Sequence, residues 1–405
     1  MNTRVFRHMT GDCAEIIRSG GLVSVPTETV YGLAGDGLNP EAVSRIYEVK
    51  GRPSVKPLSL MVGGKEAMAS YAAEIPKAAG FLADKYWPGP LTIVLKAKGS
   101  IPDIVLAGGN TVGLRCPAHP LTLQLIKESG TALAAPSANL SGGKSPVCAE
   151  DVLAVFDGKI EAVIDGGPCS LKKESTLIDL TSKPYRILRS GALSETEIAD
   201  TLAENMEVVG ITGVSGSGKT TALDYYREKG ACVLDCDALY HSMLSSPCAM
   251  TEEIMEHFPA AEDEDGRIDR KKLADIVFRD PQKLETLNAV THRHIRSEVK
   301  QWLRMRALDG YECAAIDAVE LLSGGIAEFC DYTVAVLASR ENRIRRIMQR
   351  DRIDREHAEL RIAAQKSDEY YVNNCSYVIY NDAGPEEFRN ELFIPCQILW
   401  VFLTI

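Results

Sequence analysis

Residues 208–220 read VVGITGVSGSGKT, an apolar run that leads into a glycine-rich loop. Gly213–Thr220 matches the pattern Gly-x-x-x-x-Gly-Lys-[Ser/Thr], and helix-forming residues follow it. Glycines in such a loop allow successive backbone N–H groups to surround a phosphate, which also faces the positive end of the following helix. The pattern therefore predicts a strand, a phosphate-binding loop and a helix, although a glycine-rich turn without a ligand is the alternative. We call Gly213–Thr220 the phosphate loop.

The chemistry of the phosphate loop assigns roles to its last two residues. Lys219 is expected to neutralise the β- and γ-phosphates of a nucleotide, and the Thr220 hydroxyl is expected to bind magnesium. The residues predicted to bind ATP are Gly213, Ser215, Gly216, Ser217, Gly218, Lys219, Thr220 and Thr221.

Two carboxylates follow the next predicted strand, in Asp235-Cys236-Asp237. The carboxyl ends of parallel strands are where open α/β sheets place their ligands, so one carboxylate should face the phosphates. We predict that Asp237 accepts the proton of the hydroxyl group being phosphorylated. The alternative is that these residues are helix N-caps, which is a stronger possibility for Asp235 than for Asp237.

Arginines recur further along the chain, at Arg343, Arg346 and Arg350. Their spacing places them on one helix face, which predicts a cationic lid that stabilises the transferred phosphate. Arg346 and Arg350 are the predicted catalytic arginines. Solvated salt bridges on an exposed helix are the alternative.

Several spaced motifs in this half resemble dephospho-CoA kinase over residues 207–392. They are Val209–Gly213, Val233–Asp237, Gly266–Arg270 and Arg346–Asp351. The resemblance implies transfer of the γ-phosphate of ATP to the ribose 3′-hydroxyl of dephospho-CoA. It also implies that Asp237 is the base, that Lys219 and Thr220 serve ATP and magnesium, and that Arg346 or Arg350 belongs to a lid.

The first half of the chain contains polar strings of a different kind. Val25–Leu33 follows an apolar run with a cluster of hydroxyl groups, and Lys50, Arg52 and Lys56 lie in a stretch stiffened by two prolines. Stiff cationic loops suit polyphosphates, although a solvated basic turn is the alternative. The predicted ligand-binding residues are Thr27, Tyr31, Lys50, Arg52, Lys56, Arg115, Ser137, Asn139, Ser141, Ser175 and Arg189.

These strings resemble the YrdC family of L-threonylcarbamoyl-adenylate synthases over about residues 5–195. The Lys-x-Arg and Ser-x-Asn motifs and an intact Pro-Thr-Glu-Thr-x-Tyr-Gly segment carry the resemblance. It implies that L-threonine, bicarbonate and ATP give threonylcarbamoyl-AMP and pyrophosphate, for modification of a tRNA adenosine. Cations must then stabilise a pentavalent α-phosphate, and we expect Lys50 and Arg52 as catalytic residues, with Arg189. Thr27, Tyr31, Lys56 and Ser175 are expected to position threonine and its carbamate.

Composition limits the class of protein. Hydrophobic residues make up 45% of the chain and charged residues 25%, which is typical of a soluble globular protein. The net charge of −11 argues against a non-specific nucleic-acid binder. The 11 cysteines contain no Cys-x-x-Cys pair, and residues 1–10 lack the apolar core of a secretory signal. These features predict a cytoplasmic protein with no membrane span, no transition metal, and no flavin or nicotinamide.

Together the two halves predict an α/β protein. We expect a YrdC-like twisted mixed sheet with helices in residues 1–200, and a P-loop kinase with a parallel sheet, a helical substrate domain and a lid in residues 207–392. Residues 393–405 form an apolar tail with no assigned role. The expected partners are ATP with Mg²⁺ for both domains, L-threonine, bicarbonate and dephospho-CoA, with tRNA or tRNA-modification proteins. The alternative is a non-catalytic RNA-binding module fused to a kinase of another small alcohol.

Overall fold

The computed structural model of the chain describes residues 2–8 and 10–392. It divides into two compact units: the first ends at Glu204 and includes Leu308–Gly310, and the second begins at Asn205. The predicted apolar tail at 393–405 lies outside the described residues. Within the described ranges, no helix is both long enough and apolar enough to cross a membrane.

The first unit is built on a mixed sheet. Its described strands are β1 (Arg4–Phe6), β2 (Val23–Val25), β3 (Gly32–Asp36), β4 (Ser59–Met61), β5 (Leu91–Lys96), β6 (Thr111–Arg115), β7 (Leu133–Ala134), β8 (Ala162–Ile164), β9 (Thr176–Asp179) and β10 (Arg186–Arg189). Their spatial order is β1-β8-β2-β3-β7-β4-β6-β5-β9-β10. Leu91–Leu95 is buried throughout, as expected for a largely apolar run inside a sheet.

Helices cover this sheet and bring polar side chains to it. They are α1 (Gly11–Arg18), α2 (Pro40–Lys50), α3 (Met68–Tyr71), α4 (Lys77–Tyr86), α5 (Asp103–Leu106), α6 (Pro120–Ser129), α7 (Ala149–Phe156) and α8 (Glu195–Glu204). The Asn39 side chain caps α2, and Pro40 occupies its first turn. Gly51, in the left-handed conformation with φ of 57°, ends it, so that Lys50 is its last residue.

The second unit contains a parallel sheet. Its strands are β11 (Glu207–Gly213), β12 (Cys232–Asp235), β13 (Cys313–Asp317), β14 (Tyr332–Leu337) and β15 (Tyr377–Tyr380). They lie in the order β12-β13-β11-β14-β15, and each neighbouring pair is parallel. The predicted α/β class, with a mixed first sheet and a parallel second sheet, is confirmed.

The second unit has eight described α-helices, some of which share small apolar cores. They are α9 (Lys219–Glu228), α10 (Cys236–Leu244), α11 (Ala249–His257), α12 (Arg270–Val277), α13 (Pro281–Leu308), α14 (Arg340–Asp351), α15 (Arg355–Ala363) and α16 (Asp368–Asn374). Residues of α10 to α13 share a core of their own around Met250 and Ile254. A smaller apolar cluster around Ile344 and Ile347 joins α14 to α15.

Candidate active sites

The first unit contains a polar cavity of about 320 Å³, which we call the first-unit cavity. It brings together nearly all of the residues predicted for this half of the chain. The predicted residues among its walls are Tyr31, Lys50, Arg52, Lys56, Arg115, Ser137, Asn139, Ser141, Ser175 and Arg189. They come from segments that lie far apart in the sequence.

Thr27 is the predicted residue that does not line the first-unit cavity. Its buried hydroxyl accepts hydrogen bonds from the backbone N–H groups of Thr29 and Val30, at 3.1 and 3.2 Å, and contacts the Val30 carbonyl oxygen at 2.6 Å. Thr27 therefore stabilises its own turn, and its contact with threonine stays a prediction. That turn leads directly to Tyr31, whose hydroxyl donates to the Gly167 carbonyl oxygen at 2.8 Å.

Lys50 is almost completely buried, with 2% of its surface exposed. Its ammonium group donates to the carbonyl oxygens of Ser137 and Asn139 and lies 3.4 Å from Asn139 Oδ1. An ammonium group has three N–H bonds, so these acceptors can use all of them. Burial, and then the nearby charge of Arg52, lower the pKa of Lys50 to about 8. In this arrangement Lys50 fastens the Ser137–Gly143 loop to the end of α2, whereas the sequence suggested direct phosphate contact.

Two carboxylates that sequence reasoning left unassigned organise the arginines of the first-unit cavity. Glu28 Oε1 lies 2.6 Å from Arg115 Nη2; the Arg115 side chain is buried, and the Glu28 side chain is 13% exposed. Glu174 Oε2 lies 2.7 Å from Arg189 Nη1, and Arg189 Nη2 also donates to Ser175 Oγ at 3.0 Å. Glu28 lies in the quoted hydroxyl-rich string, but its partner is 87 residues away, which local pattern does not reveal.

The charge of the first-unit cavity favours a polyanion. Its lining includes five cationic side chains, Lys50, Arg52, Lys56, Arg115 and Arg189, and one carboxylate, Glu174. The hydroxyl and amide groups of Ser137, Asn139 and Ser141 add neutral hydrogen-bonding groups. A concave surface lined mainly by one sign of charge concentrates ligands of the opposite sign.

The second unit has a cavity of about 550 Å³ at the carboxyl end of its sheet, which we call the phosphate-loop cavity. β11, β12 and β13 end here at Gly213, Asp235 and Asp317. The predicted residues that line it are Ser215, Gly216, Gly218, Lys219, Thr220, Asp237, Arg346 and Arg350.

Three residues predicted to bind ATP are not part of this lining. The Ser217 side chain is fully buried, and its hydroxyl oxygen has no hydrogen-bond partner in the described part of the chain. Thr221 is exposed on α9. Gly213 packs against β14 with a φ of 133°, and a Cβ there would lie 2.1 Å from the Val336 carbonyl oxygen. Glycine is therefore required at 213 for close packing as well as for the loop conformation.

Three carboxylates surround the phosphate loop. Asp235 accepts hydrogen bonds from the N–H groups of Asp237 and Ala238, at 2.9 and 3.0 Å, so the N-cap interpretation holds for Asp235. Asp237 lines the cavity, and burial followed by the charge of Asp235 raises its pKa. Asp317 was not predicted. Burial raises its pKa to about 7, while Lys219 opposes the shift.

A magnesium ion that accompanies ATP fits this cavity. The carboxylates of Asp235, Asp237 and Asp317 offset the lining cations, so a polyphosphate here needs a further positive charge. Among the described residues, Asp317 Oδ1 is buried without a hydrogen-bond partner. Thr220 lines the same cavity. The sequence signal for Asp317 was its position directly after the apolar run Cys313–Ile316. The carboxyl end of such a strand lies at the edge where open parallel sheets bind ligands.

The three α14 arginines that were predicted to share a face contact different partners. Arg343 is 5% exposed and lies 3.4 Å from Asp368 Oδ1, so it does not face the cavity. Arg346 donates to the carbonyl oxygens of Gly216 and Ser217 at 3.3 and 3.2 Å. Arg350 lines the cavity but is paired with Asp351, as the salt-bridge alternative expected.

Comparison with known proteins divides the chain in the same two regions. The family model for Sua5, YciO and YrdC, described as telomere recombination, matches residues 15–191. The model described as dephospho-CoA kinase matches residues 207–387.

Individual curated proteins and solved structures are similar to part of the chain. A threonylcarbamoyl-AMP synthase of Pyrococcus abyssi is 47% identical over 191 residues, which are 47% of this chain and 56% of that protein. One from Halorhodospira halophila is 34% identical over 183 residues, which are 45% of this chain and 95% of that protein. A solved dephospho-CoA kinase from Campylobacter jejuni is 22% identical, with a TM-score of 0.36, over 47% of this chain and 96% of that one.

The relatives differ in how much of their length is matched. The chain spans about half the length of the first curated relatives, from Pyrococcus abyssi, Bacillus subtilis and Schizosaccharomyces pombe. It spans nearly all of the shorter Halorhodospira protein. The chain therefore belongs to the Sua5/YciO/YrdC family through residues 15–191, and its residues 207–387 match the model described as dephospho-CoA kinase.

Proposed function

We propose that this protein is a bifunctional enzyme that uses ATP at two separate sites. The observation that carries the proposal is the presence of two polar cavities in two units, each built around residues suited to a nucleotide polyphosphate. The synthase is assigned to residues 1–200 and the kinase to residues 207–392. A cytoplasmic location is part of the proposal.

The first unit is proposed to form L-threonylcarbamoyl-AMP. Threonine and bicarbonate give N-carboxythreonine (threonine carbamate) and water. An oxygen of the carbamate group attacks the α-phosphorus of ATP, and the bond from that phosphorus to the α,β-bridging oxygen breaks to release pyrophosphate. Arg52, Lys56 and Arg189 line the cavity and are the cations that can approach the phosphates. Lys50 supports them by holding the Ser137–Gly143 loop in place.

The same cavity has groups suited to threonine. The Tyr31 and Ser175 hydroxyls lie in its wall with Arg115, whose guanidinium is held by Glu28 and by Thr29 Oγ1 at 2.8 Å. A fixed guanidinium suits a carboxylate such as that of the amino acid. Supply of the product to tRNA modification, with tRNA or tRNA-modification proteins as partners, is part of the proposal.

The second unit is proposed to phosphorylate dephospho-CoA. The ribose 3′-hydroxyl attacks the γ-phosphorus of ATP, the bond to the β,γ-bridging oxygen breaks, and ADP leaves. Asp237 is placed to accept the hydroxyl proton, and a raised pKa suits that role. Lys219 and Arg350 line the cavity and are proposed to contact the phosphates, while Thr220 and Asp317 would hold the magnesium ion that neutralises them.

The test is to assay both reactions with the intact protein. We expect pyrophosphate release that requires threonine, bicarbonate and ATP, and transfer of the γ-phosphate to dephospho-CoA. Lys219→Ala should reduce the second activity by several orders of magnitude and leave the first unchanged. RNA binding without pyrophosphate release would contradict the synthase. Phosphorylation of another alcohol in preference to dephospho-CoA would contradict the acceptor.

A further inference from the structure

A glutamine outside every motif considered so far contacts the phosphate loop. Gln365 lies in the link between α15 and α16. Its Oε1 accepts a hydrogen bond from the Ser215 backbone N–H at 3.0 Å, and its Nε2 donates to Ser215 Oγ at 2.6 Å. Ser215 itself lines the phosphate-loop cavity. The carboxamide thus holds both the backbone and the side chain of one residue in the loop.

The orientation of this carboxamide is set by a second contact. Arg343 Nη2 donates to Gln365 Oε1 at 3.3 Å, and Arg343 is nine-tenths buried. Asp368, at the start of α16, lies 3.4 Å from Arg343 Nη1. Because Oε1 faces two donors, a flipped amide would place its own donors against the Ser215 N–H and the guanidinium. The chain Asp368–Arg343–Gln365–Ser215 therefore has one favourable arrangement.

Other side chains fix the next residues of the loop, which makes Ser215 the part that depends on Gln365. Arg346 binds the carbonyl oxygens of Gly216 and Ser217, and Asn381 Nδ2 donates to the Ser217 carbonyl oxygen at 2.7 Å. A Cβ on Gly218 would lie 2.1 Å from Asn381 Nδ2. Arg346 and Asn381 therefore hold residues 216–218 of the loop, whereas Gln365 of the α15–α16 link holds Ser215.

We propose that Gln365 is a positioning residue that holds Ser215 in the conformation needed to bind ATP, and that it couples the α15–α16 link to the phosphate loop. The proposal rests on the loop binding ATP, as in the proposed function, but not on the identity of the phosphate acceptor. A displacement of the α15–α16 link would also displace Ser215. Because the carboxamide holds Ser215 in place, its loss should weaken ATP binding more than it slows phosphoryl transfer.

The test compares Gln365→Ala, Ser215→Ala and the double variant in the full-length protein, using calorimetric binding of MgATP at the second-unit site and steady-state phosphorylation of dephospho-CoA. Two hydrogen bonds are lost, so we expect about tenfold weaker ATP binding and a matching rise in KM, with kcat within about threefold. The two single losses should be less than multiplicative in the double variant, because both remove the contact between Gln365 Nε2 and Ser215 Oγ.

Lys366→Ala is the matched control, since the adjacent Lys366 ammonium lies over the Tyr370 ring, 5.5 Å from its centroid. It should bind ATP as the parent protein does. Gln365→Asn, one methylene too short to keep the contact, should reproduce the loss if the alanine variant folds poorly. Unchanged ATP affinity in both Gln365 variants, a fall in kcat alone, or an equal loss in Lys366→Ala would overturn the proposal. If the parent protein binds ATP but does not phosphorylate dephospho-CoA, the acceptor assignment fails while the affinities still decide the role of Gln365.

Discussion

Replacing Asp317 with asparagine should change how the stability of the second unit depends on pH. The unfolded Asp317 loses its proton near its ordinary pKa of 3.8, whereas burial raises the folded pKa to about 7. Between these values the folded state holds the proton more tightly, so unfolding releases it and stability falls as pH rises. Asparagine has nearly the same shape and cannot ionise, so this fall should be absent.

The magnitude follows from the shift in pKa. One pKa unit corresponds to about 1.4 kcal/mol, and a rise from pH 5 to pH 8 crosses roughly two units of the shifted range, giving about 3 kcal/mol. For a unit of this size, that corresponds to a change in Tm on the order of 10 °C relative to Asp317→Asn. The stabilities of the two proteins should converge below pH 3.8, and at pH 5 the linkage already predicts a difference of about 1.6 kcal/mol.

Differential scanning calorimetry of the full chain in EDTA, from pH 5 to pH 8, would measure the effect. Asp224→Asn is the matched control, because Asp224 is an exposed carboxylate on α9 paired with Arg227. It should follow the pH dependence of the parent protein. If Asp317→Asn shows the same pH dependence as the parent, Asp317 is ionised throughout this range and our account of its burial is wrong.

Three further substitutions have defined outcomes. Gly213→Ala places a Cβ 2.1 Å from the Val336 carbonyl oxygen, so it should lower the free energy of unfolding of the second unit by at least about 2 kcal/mol, as measured by urea unfolding. A loss below about 0.5 kcal/mol would refute the packing argument. Arg115→Met leaves the largely buried Glu28 without its cation and should cost roughly 3–5 kcal/mol in thermal stability, whereas combining it with Glu28→Gln should recover part of the loss; no recovery would mean that the pair is not coupled. Lys50→Met should release the Ser137–Gly143 loop and thereby weaken ATP binding to the first unit at least tenfold. It should also increase hydrogen exchange at the Ser141 N–H, which donates to the Lys50 carbonyl oxygen at 3.0 Å. Weaker ATP binding with unchanged exchange would indicate that Lys50 contacts the phosphates directly.

The sequence was most informative where a function depends on a short contiguous segment. The phosphate loop could be predicted because its glycines, lysine and threonine act within eight positions of one another. The α/β class could be predicted because apolar runs and amphipathic segments alternate along the chain. The acidic end of β12 could also be placed at the ligand edge, since the topology of parallel sheets fixes that edge.

Interactions between distant segments could not be predicted in this way. Lys50 meets Ser137 across 87 positions, and Gln365 meets Ser215 across 150. Their side chains have ordinary local surroundings, so no periodicity distinguishes them from solvated residues. The common face expected for the α14 arginines failed for a related reason: spacing places residues around a helix, but packing against Gln365, the phosphate loop and Asp351 decides what each one contacts.

The most direct test of two nucleotide sites is titration calorimetry of the full chain with a non-hydrolysable ATP analogue and Mg²⁺. We predict two molecules bound per polypeptide, falling to one with Lys219→Ala, and one remaining at the second unit when Arg52 and Arg189 are both replaced by alanine. A stoichiometry of one in the unaltered protein, or loss of all binding with Lys219→Ala, would contradict the presence of an independent site in each unit.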